Sequence, residues 1–318
     1  MLFIKNLITD AGLAEYPLSK ISMACISTSR AIYLVFNDKR DHPTFVIRKL
    51  SNDRDFQAHQ SHVYLYSLVG SLVPKSLGVY EYAGANYDIQ QGVKGSPWFQ
   101  IGSKLSTQNS RARLETRLWE TLKEFHSAIA ADAAIKSSLR PHEELHQVYL
   151  QYKRIKQKVA PELEKLVELA VNDLSKTSNI LPISQHGDFC LNNVIIDMPN
   201  ITVIDFEDFG ITQMPLYDHF TLALSLPSSS PEPKTAISVF NTAKIADAAR
   251  ELGIPENAIK WHFLHHILLR LGPWSFIEKR APYRTWLEKL LVQFVATQIQ
   301  KINAKHAPKY QANLSGSI

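Results

Sequence analysis

The amino-acid sequence predicts an α+β chain of two lobes, a small β-rich lobe followed by a larger helical one. Three observations predict this. Short β-branched and aromatic runs fill the first ninety residues. Apolar residues then recur at helical spacing through most of the remainder. One hairpin rich in polar residues, 183–210, interrupts the helical half.

The strands come first. "ISMACIS" (21–27), "RAIYLVF" (30–36) and "TFVIRKL" (44–50) are strand-like runs separated by polar turns. "DFQAHQSHVYLYSLV" (55–69) reads as a helix, and "LGVYEY" and "NYDIQQ" as two further strands. "GVKGSP" (92–97) carries the Gly and Pro of a connector and divides an N-lobe, 1–91, from a C-lobe, 92–318. Beyond it, Leu114, Leu118, Leu122, Phe125 and Ile129 form one helical stripe. Residues 142–176 form a long charged helical stretch, bent or broken at Pro161. After the hairpin, helices are expected over 231–252, 256–272 and 283–304.

Composition sets limits on function. The 318 residues can bury a sizeable core, and 45% hydrophobic with 20% charged residues is a globular balance. No run approaches the roughly 18 apolar residues of a membrane helix. The first residues are too short an apolar patch, too soon charged, to be a secretory leader. Cys25 and Cys190 lie far apart and make no metal-ligand pattern. A net charge of +5 without a basic stripe argues against nucleic acid as a partner. These features lead us to expect a cytoplasmic protein, monomer or homodimer, with no membrane or nucleic-acid partner.

The hairpin carries the chemistry. "HGDFCLNN" sets His186, Asp188 and Asn193 in the spacing H-x-D-x-x-x-x-N, that of the protein-kinase catalytic loop. There the Asp accepts the proton of the substrate hydroxyl and the Asn holds Mg²⁺. "NVIID" and "ITVID" follow as two strands, and Asp205 closes the second, ahead of Phe206 and Glu207. Mg²⁺ takes hard oxygen ligands and keeps much of its water, so a carboxylate, an amide oxygen and nucleotide phosphates suffice to hold it. The bland alternative makes Asp188 a turn cap and Asn192 or Asn193 a left-handed turn residue.

From 183 to 220 the chain resembles the aminoglycoside phosphotransferase and choline kinase-like family of small-molecule kinases. "QHGDFCLNNVIID" and "VIDFEDFGITQMPLYDH" carry the resemblance, and "LKEFHSAI" (122–129) is similar to the family's helix before the catalytic loop. The resemblance implies a two-lobed protein kinase-like fold, with a small antiparallel-sheet N-lobe and a larger helical C-lobe. It implies Asp188 as catalytic base, Asn193 and Asp205 as Mg²⁺ ligands, and Asp218 as a support of the loop. Glu207 is either a further metal ligand or a bonding partner that holds the loop. The segment from Ile89 to Gln91 would meet adenine through its backbone.

Three features depart from the kinase pattern. Arg48 and Lys49 stand where a kinase strand supplies its phosphate-binding Lys, and they alternate to opposite faces; Arg48 is favoured. Residues 51–80 contain no Glu to orient such a cation, and "AHQSH" occupies its place. The first turn, "CISTSRAIY", lacks Gly. Ser27, Thr28 and Ser29 offer hydroxyls and backbone N–H groups to phosphate there, or make an ordinary polar turn.

The expected activity is transfer of the γ-phosphoryl group of ATP, or of GTP, with Mg²⁺, to a hydroxyl of a small molecule such as a sugar or an amino alcohol. Between 211 and 318 seven acids face twelve Lys and Arg, which disfavours a polycationic aminoglycoside acceptor. The missing Glu and the Gly-less turn motivate an alternative, a nucleotide-binding pseudokinase or scaffold. Metal-dependent phosphoester hydrolysis wants more His and Asp ligands than the hairpin holds. The His262, His265 and His266 cluster reads as packing and surface rather than a metal site.

Overall fold

The computed structural model describes residues 2–14, 20–27, 31–37, 40–105, 107–132, 139–177, 180–276 and 280–306. Its elements pack as two units, Met1–Leu139 with Leu181–Ser229, and Arg140–Ile180 with Ser230–Ile318.

In the first unit, the β-branched runs form β1 (Ile21–Ser27), β2 (Ile32–Asn37), β3 (Phe45–Leu50), β4 (Ser76–Tyr82) and β5 (Ala85–Gln91). They make one antiparallel sheet in the order β1-β2-β3-β5-β4. The apolar start of the chain, for which the sequence suggests no element, is helix α1 (Leu2–Asp10). Its Ile4, Leu7 and Ile8 share a helical face and pack with Val35, Ile47, Tyr87 and Ile89. Because side chains alternate along a strand, burying Ile47 against α1 turns Arg48 to the other face of the sheet.

Helix α2 (Asp53–Val69) follows β3. Its start is closed by two side-chain bonds: Asp55 N donates to Asn52 Oδ1 at 3.1 Å, and Ser51 N donates to Asp55 Oδ2 at 2.8 Å. A second, three-stranded sheet holds the predicted hairpin, in the order β6 (Ser96–Pro97), β7 (Val194–Asp197), β8 (Asn200–Val203). Helix α3 (Trp98–Ile101) is short, and α4 (Gln108–Ala130) carries the predicted stripe, every residue of it buried. Helix α7 (Tyr217–Ser225) is not foreseen by periodicity, because its residues from Tyr217 to Ala223 are buried on all sides.

The second unit is helical. The charged stretch is broken rather than bent: α5 (Pro141–Lys156) ends, and Pro161 opens α6 (Pro161–Leu174) at a position where its missing N–H costs no helix bond. The single helix expected over 231–252 is α8 (Pro233–Ala236), a 3-10 segment (Ile237–Asn241) and α9 (Ala243–Glu251). Thr242 between them is extended and stops the helical run. Helix α10 (Glu256–Arg270) is nearly all buried, and α11 (Ala281–His306) closes the unit. His262, His265 and His266 are all inside α10's packing, none on the surface. Among the described residues no helix is long and apolar enough to cross a membrane.

Candidate functional site

The loop that runs from α6 into β7 is built around one fully buried carboxylate, that of Asp218 in the first turn of α7. His186 N donates to its Oδ2 at 2.6 Å and Gly187 N to its Oδ1 at 3.0 Å. His126 on α4 shares Oδ2 at 3.0 Å, and Asp218 N donates to Gln185 Oε1 at 3.1 Å. Burial opposes ionisation, but the His126 hydrogen bond, the His126 and His186 charges and the His186 N–H outweigh it. They hold the Asp218 carboxyl below its ordinary value. The neighbouring His219 ring is pushed down to about 3, first by burial and then by His126.

Gly187 cannot carry a side chain in this arrangement. Its φ is +88°, and a Cβ would stand 2.2 Å from the Asp208 carbonyl oxygen. The close approach brings the loop against the segment after β8, where the acids are. His186 bridges the two: its Nδ1 accepts from Asp188 N at 3.2 Å while its Nε2 donates to Ile204 O at 3.1 Å.

Asp188 and Asn193 then meet directly. Asn193 Nδ2 donates to the Asp188 carbonyl at 2.9 Å and to its Oδ2 at 3.0 Å. Donating through nitrogen leaves the amide oxygen of Asn193 outside that contact. Ile204 N donates to Asn193 O at 2.9 Å, which ties the end of β8 to the loop. Asp205, next along, has φ +68°, a left-handed conformation that Asp tolerates better than most residues. It keeps an exposed face, yet protein atoms crowd its carboxyl. That crowding raises its pKa first, Asp188 and Asp208 add to the rise, and His186 and Arg48 oppose it.

Arg48 reaches the same acids from β3. Its Nη1 lies 3.9 Å from Glu207 Oε1, and its Nη2 donates to Asp88 Oδ2 at 3.2 Å. Asp88 stands directly opposite Arg48 in the β3–β5 register and is fully buried. Gln90 Nε2 donates to Asp88 Oδ2 at 2.8 Å, and His59 Nδ1 on α2 meets Oδ1 at 2.9 Å. Burial works against the charge, but the His59 and Gln90 hydrogen bonds and the Arg48 cation keep the Asp88 carboxyl below its usual value. Helix α2 touches the acid segment as well. Arg54 Nη2 pairs with Asp208 Oδ1 at 2.6 Å, and the His62 ring stacks on Phe206 with centroids 5.2 Å apart.

The structure thus brings Arg48, Asp188, Asn193, Asp205 and Glu207 into one neighbourhood. Lys49 is exposed on the opposite face of the strand, as strand alternation requires. Ile89 turns into the core against α1, and the Gln91 N–H is taken by Lys75 O at 2.9 Å. Ser29 and Thr28 lie outside the described residues, as does the side chain of Ser27. Sequence reasoning missed Asp88, His59, Arg54 and His62. One signal was present: "VIRKL" and "YDIQQ" each set a charge inside an apolar strand, and such buried charges require partners.

The donor set fits a hard divalent cation bound together with phosphates. Asp205 and the Asn193 amide supply oxygen, and the crowded negative charge at Asp205 favours a cation there. Among the described residues no three His, Cys, Asp or Glu side chains form a complete metal cage. Mg²⁺ does not require one, since it is commonly held by one or two carboxylates plus substrate phosphates. Arg48 fits a phosphate partner, because its Nε is a buried donor with no hydrogen-bond acceptor.

The family model described as "Phosphotransferase enzyme family" matches residues 55–251. No curated protein sequence matches the chain. Solved structures of similar fold include a choline/ethanolamine kinase family protein from Mesorhizobium loti, 12% identical, with a TM-score of 0.56 over 95% of each chain. The macrolide 2'-phosphotransferase MphH from Brachybacterium faecium is 15% identical, with a TM-score of 0.53 over 91% of this chain and 97% of its own. The choline kinase LicA from Streptococcus pneumoniae is 14% identical, with a TM-score of 0.52 over 93% of this chain and 100% of its own. At these identities the likeness is one of fold.

Proposed function

Because the chain belongs to the phosphotransferase enzyme family, we propose that it transfers the γ-phosphoryl group of ATP to a hydroxyl of a small molecule. The acceptor class we favour is a sugar, an amino alcohol or a related metabolite. One observation carries this reading: the Asp188 carboxylate, gripped by Asn193 at 3.0 Å, stands on a loop whose backbone is locked by Asp218.

Asp188 orients the acceptor hydroxyl and takes its proton at a carboxylate oxygen as the oxygen attacks. Asn193 keeps that carboxylate in one rotamer. Asp205 and the oxygen of Asn193 are the residues that would hold Mg²⁺, with Glu207 beside them. When bound, Mg²⁺ neutralises charge on the phosphate oxygens. Arg48 faces the same charge with a fixed guanidinium. Names of structures similar in fold, among them a choline kinase and a macrolide phosphotransferase, support a small-molecule acceptor. The excess of Lys and Arg over acids beyond residue 210 supports a neutral or anionic acceptor over a polycationic one.

The enzymatic reading is preferred over a nucleotide-binding scaffold because Arg48 does have a buried acid, Asp88. The test is incubation of the purified protein with ATP, Mg²⁺ and pooled hydroxyl metabolites, read by mass spectrometry. A phosphorylated product that disappears in Asp188→Asn supports the proposal. ATP binding with no turnover across the pools favours the scaffold.

A further inference from the structure

We infer that Asp88 on β5 aligns the phosphate-contacting cation Arg48 in this chain, and that His59 on α2 holds Asp88 in place. The helix would then control the cation through two hydrogen bonds in series. The inference rests on the phosphotransferase reading and names two positioning residues for it.

The geometry is specific. Arg48 and Asp88 are directly opposed across the β3–β5 ladder, so the backbone register fixes their separation. Asp88 is fully buried, and Arg48, His59 and Gln90 meet its carboxylate as protein donors. Such a carboxylate has no open oxygen to offer a metal; its role is to hold other groups. Arg48 is hydrogen-bonded at one end only. Nη2 is bonded to Asp88, Nη1 is beyond hydrogen-bond distance of Glu207, and Nε has no acceptor. A planar guanidinium tied through Nη2 presents the rest of its donors in a set direction.

Helix α2 lacks a Glu, and it meets Asp88 with an imidazole instead. The acid sits on the strand and the helix supplies the group that grips it. The same helix contacts the acid segment through Arg54–Asp208 and the His62–Phe206 stack. One rigid element therefore bears on both the Arg48 anchor and the segment that carries Asp205 and Glu207.

The experiment is isothermal titration of the full chain with ATP·Mg²⁺ and, separately, with adenosine, which has no phosphate. His59→Ala and Asp88→Asn are each expected to weaken ATP·Mg²⁺ roughly tenfold to a hundredfold, the scale of a lost charge-assisted hydrogen bond. Adenosine affinity and melting temperature should stay near wild type in His59→Ala. Arg48→Ala combined with Asp88→Asn should bind ATP·Mg²⁺ no more weakly than Arg48→Ala alone, because Asp88 acts through Arg48.

Unchanged ATP·Mg²⁺ affinity in His59→Ala, or losses that simply add in the double variant, would overturn the inference and leave the phosphotransferase reading standing. Equal weakening of ATP and adenosine would also overturn it, since that is the mark of a general structural defect. If Asp88→Asn does not fold, His59→Ala together with His59→Gln decides the question. Wild-type protein that fails to bind ATP·Mg²⁺ at all would overturn both the inference and the phosphotransferase reading.

Discussion

Two buried carboxylates organise the first unit, and they do different work. Asp218 grips backbone: its oxygens take the N–H groups of His186 and Gly187, and so fix the loop that carries Asp188. Asp88 grips side chains, those of Arg48, Gln90 and His59. A backbone clamp gives a loop one conformation. A side-chain clamp aims one cation and leaves its other donors for a ligand. Both carboxylates are fully buried and both are held below the ordinary carboxylate range. What separates them is what they position.

The largest effect should come from the backbone clamp. Asp218→Ala leaves two N–H groups and a buried imidazole without their acceptor, and should cost about 3–5 kcal/mol of stability in urea denaturation. Loss of less than about 1 kcal/mol would mean that the loop holds itself and that Asp218 is no clamp. Asp188→Asn should do the reverse, with a turnover drop of about a hundredfold to ten-thousandfold and a melting temperature close to wild type. Together the two variants separate the proposed catalytic base from the group that holds its loop.

Gly187→Ala tests the same clamp from the other side. The positive φ and the approach to the Asp208 carbonyl should together destabilise the protein by about 1–3 kcal/mol. Thermal unfolding of this variant beside Gly84→Ala, where a Cβ meets nothing within 4 Å, isolates the contact from the backbone strain.

The acid response compares the clamps directly. Asp88 and Asp218 titrate below the ordinary carboxylate value when folded, so their contribution is present above that value and is lost as pH falls through the folded one. His219 acts earlier. Its folded pKa of about 3 lies below the ordinary imidazole value of 6.5, so the unfolded chain takes up its proton first, and stability declines as pH falls from 6.5 towards 3. Denaturant midpoints measured across that window should flatten in His219→Gln, and an unchanged slope would refute the assignment. The smallest effect is expected at Lys49→Ala. This exposed residue on the far face of β3 should change neither melting temperature nor ATP·Mg²⁺ affinity, whereas Arg48→Ala should weaken the affinity.

Much of the site was legible because it is local. His186, Asp188, Asn193 and Asp205 fall within one short stretch, and a hairpin brings such residues together almost regardless of the rest of the chain. The strands of the first sheet and the α4 stripe were legible for a related reason, since period and composition report one buried face. Helix α7 escaped because burial on every side leaves no period to read. The 231–252 segment reads as one helix because its propensities do not show the extended residue at Thr242. Asp88 and His59 escaped for a different reason. Nothing near either residue in sequence points to the other, and only strand register and the docking of α2 join them.

The amino-acid sequence by itself determined which residues can do chemistry here. It placed an acid, an amide and a second acid at separations that a single hairpin closes, and short-range geometry needs little help from the rest of the fold. What only the tertiary structure decided is which cation faces them and what holds that cation. Pairing β3 with β5 set Arg48 against Asp88, and packing α2 on the sheet delivered His59. Burying a charge is unfavourable until its partners arrive, and those partners come from parts of the chain that meet only when the sheet and the helix are assembled.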